Sequence, residues 1–242
     1  MPGALAIETA NLQKSYGPTP ALIGVNLRVE AGTIFGLCGP RGSGKTSLVR
    51  ILSTDLAPDA GRVLVAGYDV VRQTQMARRN INRSGQPEAI DDRKTVSENL
   101  RAIARRSGFS RIGAQRRAAE LLSQLDLIDV ADRSLATLSA GMRRGLEIAA
   151  RLISLPAVLL LDEPTAGLDA QNRREVWERL RRITGDGTTI LFTTPSIAEA
   201  SELADRVAMI DQGQIVADDA PWKLERLTTC VRREPIATKD AA

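Results

Sequence analysis

The stretch Gly39-Pro40-Arg41-Gly42-Ser43-Gly44-Lys45-Thr46 carries the spacing G-x-x-x-x-G-K-[ST]. Glycines so placed let a backbone curl until successive N–H groups converge on phosphate oxygens. The lysine ammonium then reaches the terminal phosphates, and the Thr46 hydroxyl offers a ligand to Mg2+. A second chemical pair, Asp162-Glu163, ends the aliphatic run Val158-Leu159-Leu160-Leu161. There Asp162 can hold Mg2+ through water, while Glu163 polarises an attacking water as general base. The chain has no histidine, which removes imidazole acid–base chemistry and histidine metal ligands. Hydrolysis would have to rest on carboxylates. Each motif has a bland alternative, a glycine-rich turn or a buried strand with solvated acids at its exit. One behind the other, they point to nucleotide chemistry.

These residues need a frame. Thr33 to Cys38 reads as a buried strand entering the loop, and Ser47 to Leu52 as a helix leaving it, with its positive end toward the phosphates. Asp162 at the carboxyl end of a parallel strand would reach the same crevice. Upstream, Leu5–Ser15 and Ala21–Glu30 read as extended segments joined by the turn Gly17-Pro18-Thr19-Pro20. A strand at Arg62–Ala66, a short helix around Thr74–Arg79, the segment Ile81–Ser84 and a loop over 85–93 follow.

From Thr95 to about Ser154 the pattern is helical, with amphipathic runs at Glu120–Ile128 and Met142–Ile153. Alternation then resumes: strand Ala157–Asp162, helix Gln171–Ile183, strand Thr188–Thr193, helix Ile197–Leu203. A hairpin of Arg206–Asp211 and Gln214–Ala217 turns at Gln212-Gly213. After Leu227 the chain is polar and turn-rich, and a loose tail is expected. The plan is an α/β nucleotide core with a helical segment inserted in its middle.

Composition narrows the classes. The chain has 242 residues, 43% of them hydrophobic, enough to build a core. No apolar run approaches the ~18 residues that cross a bilayer. No signal peptide is evident at Met1-Pro2-Gly3-Ala4-Leu5, and Cys38 and Cys230 make no disulfide framework. A cytosolic setting is expected. Arginine pairs such as Arg78-Arg79 and Arg181-Arg182 are scattered among acids, with a net charge of +4 and only 3% aromatics. Solvated helix faces, not a specific nucleic-acid surface, are the expectation.

With the pieces between them, these motifs resemble the ATP-binding subunit of ABC transporters over about Leu5 to Leu227. The resemblance implies a P-loop ABC ATPase core with an antiparallel β subdomain. It also implies an inserted helical subdomain at about 95–154, with residues 228–242 left as the tail. It makes Tyr16 the aromatic that stacks on adenine, and surrounds the phosphates of ATP with Gly39, Pro40, Arg41, Gly42, Ser43, Gly44, Lys45, Thr46 and Ser47. Gln86, in Ser84-Gly85-Gln86, matches a glutamine that reaches Mg2+ and the attacking water and links them to the membrane partner. Catalysis would fall to Glu163, Lys45 and Gln86, and Mg2+ to Thr46, Gln86 and Asp162.

Leu138-Ser139-Ala140-Gly141-Met142 matches the signature Leu-Ser-Gly-Gly-Gln, altered at two positions. On its residues Ser139 reads as a helix N-cap, and the amides after it can face an anion. The resemblance makes that anion the γ-phosphate of ATP held by the other subunit, bound by Ser139, Ala140 and Gly141. Asp169 matches the acid of a loop that crosses the dimer interface.

The implied protein is an ATP hydrolase, paired head-to-tail with itself or a paralogue. It would drive separate transmembrane permease subunits from the cytoplasmic face of the membrane. The Met-Arg-Arg of the signature and the stretches 85–92 and 203–213 are most similar to the daunorubicin-resistance type of drug-export ATPase. Two departures stand out. Pro195 occupies the place of the family's switch histidine and offers neither side-chain donor nor N–H. Ala140 replaces the first signature glycine, adding a methyl where backbone would approach phosphate. They motivate a second reading, an ATP-binding regulatory module with little turnover. A third, a soluble ATPase acting on DNA or ribosomes, lacks the long coiled coil or tandem cassettes of those types.

Overall fold

β1 (Leu5–Tyr16) and β2 (Thr19–Glu30) form a long antiparallel hairpin, in which Ile7, Leu12, Leu22, Val25, Leu27 and Val29 are buried. The computed structural model of the chain describes residues 4–83, 90–185 and 187–224. Thr19 and Pro20 pair with Tyr16 and Ser15, so the turn is shorter than the four residues expected. Gly17, at φ +58, reverses the chain in two residues. Pro20 is tolerated because it lies at the strand's start.

β3 (Ile34–Cys38) runs into the phosphate loop, and α1 (Lys45–Leu52) leaves it. β4 (Ala60–Val65) and β5 (Tyr68–Asp69) complete a four-stranded sheet of order β2-β1-β4-β5, antiparallel throughout. Next come α2 (Thr74–Arg79) and β6 (Ile81–Arg83).

The helical stretch holds α3 (Val96–Arg106), α4 (Arg111–Gln124) and α5 (Ala140–Leu152), each entered through a capping side chain: Thr95, Ser110 and Ser139. Thr95 and Glu98 cap each other's backbone reciprocally, which fixes the start of α3. The amphipathic run expected over Glu120–Ile128 is cut short. Asp126 turns left-handed at φ +55, and α4 stops at Gln124. Leu125 and Leu127 stay buried from outside the helix, so apolar spacing continued where the helix did not.

β7 (Val158–Asp162), α6 (Ala170–Thr184), β8 (Thr189–Thr194), α7 (Ile197–Leu203), β9 (Arg206–Asp211) and β10 (Gln214–Asp219) follow. The second sheet has the order β10-β9-β3-β8-β7-β6. All neighbours in it are parallel except β10 on β9. Its central strands β3, β7 and β8 are almost wholly buried, because both faces of the sheet are covered there. Phe35, Leu37, Val158, Leu160 and Leu191 face α1 and the antiparallel sheet; Ile34, Leu159, Leu161, Ile190 and Phe192 face the helices α3 to α6. With β8 between β3 and β7, the carboxyl ends of all three strands lie side by side, where such sheets bind ligands. The tail expected over 228–242, with Cys230, lies outside the described residues.

Candidate functional site

The phosphate loop is built by close backbone approach. A Cβ at Gly39 would lie 2.1 Å from the Ile210 carbonyl oxygen, and one at Gly44 would lie 2.5 Å from that of Ala21. Gly42 and Gly44 also take φ +80 and +107, which favour glycine. The β9–β10 turn braces the loop. Gln212 and Gly213 both have positive φ, the Gly213 amide donates to the Ser43 carbonyl at 3.0 Å, and Ile23 N–H donates to the Gly213 carbonyl at 2.8 Å. The Lys45 side chain is buried beneath the loop and donates to the carbonyls of Gly39 and Pro40 at 2.7 and 2.8 Å. Burial lowers its pKa from the ordinary value, while the nearby charges of Glu163 and Asp162 oppose that shift. A cation held among carbonyls and acids, partly stripped of water, suits an incoming phosphate.

The two acids meet the loop across the sheet. Thr46 Oγ1 lies 3.4 Å from Asp162 Oδ2, and the other Asp162 oxygen accepts from Thr193 Oγ1 at 2.5 Å. Thr193, wholly buried at the end of β8, also accepts the Glu163 N–H at 3.0 Å. Glu163 itself sits at φ +45, a left-handed conformation that costs a non-glycine residue about 1–3 kcal/mol and concentrates at functional sites. A cleft of about 320 Å³ opens between these groups, lined by Arg41, Lys45, Thr46, Ser47 and Glu163, with Tyr16 also on its wall. Tyr16 is 45% exposed, and its hydroxyl lies 3.3 Å from Ser47 Oγ.

Among the described residues, no three or more His, Cys, Asp or Glu side chains converge as a metal cage. The donor set Thr46 Oγ1 and Asp162 Oδ2 nevertheless fits Mg2+, a hard cation that keeps several waters and takes further ligands from substrate phosphates. Gln86, the third expected metal contact, lies outside the described residues.

At the signature, Ser139 caps α5 by accepting from the Met142 amide at 3.1 Å. Ala140 is exposed. Gly141 is buried against α6, and a Cβ there would come within 2.8 Å of Asn172 Oδ1 and Glu175 Oε2. Its amide donates to Asn172 Oδ1 at 2.8 Å, and Asn172 Nδ2 donates to Asp169 Oδ2 at 2.7 Å. Asp169, which also caps α6 through the Asn172 amide, is thereby joined to the signature within one chain. Those backbone and side-chain bonds from Asn172 hold its carboxyl below the ordinary pKa.

Sequence reasoning singled out neither Thr193 nor Asn172 nor Asp59. Asp59 accepts from Lys14 Nζ at 2.6 Å and from the Ser15 amide at 2.7 Å, bracing the strand end that carries Tyr16. The one local signal for Thr193 is a polar pair, Thr193-Thr194, closing the apolar run Ile190-Leu191-Phe192. Pro195, after that pair, is exposed.

Residues 22–166 match the ABC transporter family. The chain is 46% identical over 236 residues to the daunorubicin resistance ATP-binding protein DrrA2 of Streptomyces coeruleorubidus, covering 98% of this chain and 73% of that one. It is 40% identical over 224 residues to the Nod factor export ATP-binding protein I of Paraburkholderia xenovorans, covering 93% and 73%. Its fold superposes on cbiO1 from Clostridium perfringens, part of the ABC transporter complex cbiONQ, with a TM-score of 0.85 and 24% identity over 95% of this chain and 94% of that one. A phosphate loop, an acid pair and a capped signature helix on this frame have one common owner: the chain belongs to the ABC transporter family, as one of its ATP-binding, ATP-hydrolysing subunits.

Proposed function

We propose that this subunit hydrolyses Mg-ATP in sites shared by two ATPase subunits and so powers export of a drug-like or lipophilic compound through separate membrane subunits. The observation that carries the reading is the meeting of Lys45, Thr46 and Glu163 in one cleft, with Asp162 beside Thr46 and Tyr16 on the wall. Tyr16 stacks on the adenine, while Lys45 exchanges its loop carbonyls for the β- and γ-phosphates. Thr46 and Asp162, with Gln86 as the expected third ligand, would hold Mg2+, which would supply positive charge against the transferred phosphoryl group. Glu163 takes a proton from water, whose oxygen attacks the γ-phosphorus as the bond to the ADP oxygen breaks. Ser139 and Gly141 of one subunit complete the site of the other. The Gly141 amide would then leave Asn172 for a γ-phosphate oxygen, so closure exchanges one hydrogen bond for another. Domain bounds of 5–227, with the helical subdomain at about 95–154, accord with the same reading.

Export rests on the relatives, whose names concern daunorubicin resistance and Nod factor export. No helix among the described residues is long and apolar enough to cross a membrane. On this reading separate membrane subunits provide the path, with this subunit on the cytoplasmic face. Phosphate release by the purified protein tests the hydrolysis. It is expected to require Mg2+ and to vanish in Lys45→Ala. ATP binding without release would favour a regulatory module, the second reading, which Pro195 motivates because it supplies no side-chain donor. Co-purification with a polytopic membrane protein tests transport, and its absence from native membranes would count against it.

A further inference from the structure

The carboxylate of Glu199, on α7, gathers donors from three segments. Thr194 Oγ1 at the end of β8 donates to Oε2 at 2.5 Å. Thr165 Oγ1 donates to Oε1, and Trp177 Nε1 of α6 reaches the same oxygen at 3.4 Å. Thr165 and Thr194 are both buried. An ionised carboxylate accepts only, at about four lone-pair sites, and its charge makes such bonds roughly twice as strong as neutral ones.

The loop that Glu199 grips is the one that begins with Glu163. From its left-handed first residue the loop doubles back, with the Ala166 amide on the Glu163 carbonyl and the Leu168 amide on that of Thr165, both at 3.1 Å. A left-handed non-glycine residue persists where the surroundings over-determine it. Thr193 fixes the loop at the Glu163 amide, and Glu199 fixes it two residues later at the Thr165 hydroxyl. Consecutive residues of a strand face opposite sides, so Thr193 and Thr194 at the end of β8 anchor the loop from two directions, one directly and one through Glu199.

The geometry points to Glu199 as a positioning residue for hydrolysis. By holding Thr165 to Thr194, it keeps the Glu163 carboxylate aimed at the phosphate loop. The inference rests on Glu163 being the base. It gives the segment after β8 a link to that base in a chain where Pro195 supplies none.

Phosphate release from Mg-ATP and binding of a fluorescent ATP analogue are measured for Glu199→Ala, Glu199→Gln, Thr165→Val and the Thr165→Val/Glu199→Ala double variant, beside Glu163→Gln. Glu199→Ala is expected to lower kcat about ten-fold or more, with KM and analogue binding changed by no more than about two-fold. Thr165→Val should lose several-fold, and the double variant no more than Glu199→Ala alone, because both cut one connection. Glu199→Gln keeps an acceptor oxygen and should recover part of the rate.

A Glu199→Ala kcat within two-fold of the parent, corrected for folded fraction, would overturn the inference. So would a joint loss in kcat and KM, or single losses that multiply in the double variant. Should Glu199→Ala not fold, the near-isosteric Thr165→Val and Glu199→Gln carry the test. Failure of the base reading looks different: Glu163→Gln would itself keep turnover. Failure of this inference alone leaves Glu163→Gln inactive and Glu199→Ala active.

Discussion

Replacing Thr193 with valine removes one hydroxyl and leaves the side-chain volume nearly unchanged. That hydroxyl donates to Asp162 at 2.5 Å and accepts from the Glu163 amide at 3.0 Å. A hydrogen bond to a charged group contributes about 1.5–3 kcal/mol, and an orphaned buried amide costs about 1–3 kcal/mol. Asp162 is half-buried, so water restores part of its loss, and the lower end of each range applies. Thr193→Val should therefore lose about 2–3 kcal/mol of folding stability. For a chain of this size that is roughly 4–12 °C in Tm. The urea midpoint should fall with an unchanged m-value.

The bonding of this one hydroxyl aims both acids. If about 1.4 kcal/mol of it is expressed only in the transition state, kcat falls about ten-fold. KM should stay within about two-fold, since Thr193 does not line the cleft. Thr193→Ser keeps the hydroxyl and loses one methyl, worth about 0.8 kcal/mol, so its kcat should stay near that of the parent. Denaturation curves and steady-state phosphate release measure all of this. A valine variant with the parent's stability and kcat, or a serine variant as impaired as valine, would show that the Thr193 hydroxyl does not position the acids.

Two further outcomes are expected. Pro195→His, at an exposed position beside the end of β8, should raise kcat with KM unchanged. A bond to a charged group of about 1.5–3 kcal/mol corresponds to roughly 10–150-fold in rate; no rise in phosphate release would mean that residue 195 does not face the γ-phosphate. Asp59 has its pKa depressed below 3.8, first by the Lys14 hydrogen bond and then by the Ser15 amide. Its contribution is present above the unfolded value and is lost as pH falls from about 3.8 through the lower folded value. Urea melts of Asp59→Asn should thus depend less steeply on pH below about 4 than the parent's, and parallel curves would contradict the assignment.

What could be read from the chain was chemistry local in sequence. The phosphate loop, the acids at the end of β7 and the cap Ser139 are set by spacings of a few residues, and so is the turn at Gln212-Gly213; that Asp169 caps α6 was not read. What stayed hidden joins residues far apart. Thr193 meets Asp162 because β8 lies beside β7 in the sheet, a neighbour relation not written in chain order. Asn172 reaches Gly141 across 31 positions, and Lys14 reaches Asp59 across 45. Gly141 reads as a phosphate-facing glycine in sequence, yet its missing Cβ also answers to α6 packed against it. The apolar period after Gln124 misled for the opposite reason: burial continued while the backbone turned out of the helix at Asp126.

On the proposed function, a phosphate loop from one subunit and a signature from another share one ATP, which Glu163 then hydrolyses. The most direct measurement is the solution mass of Glu163→Gln with Mg-ATP, with Mg-ADP and without nucleotide, by light scattering. A dimer is expected with ATP alone and monomers in the other two conditions, with no phosphate released. A monomer with bound ATP, or phosphate release near the parent's rate, would contradict it.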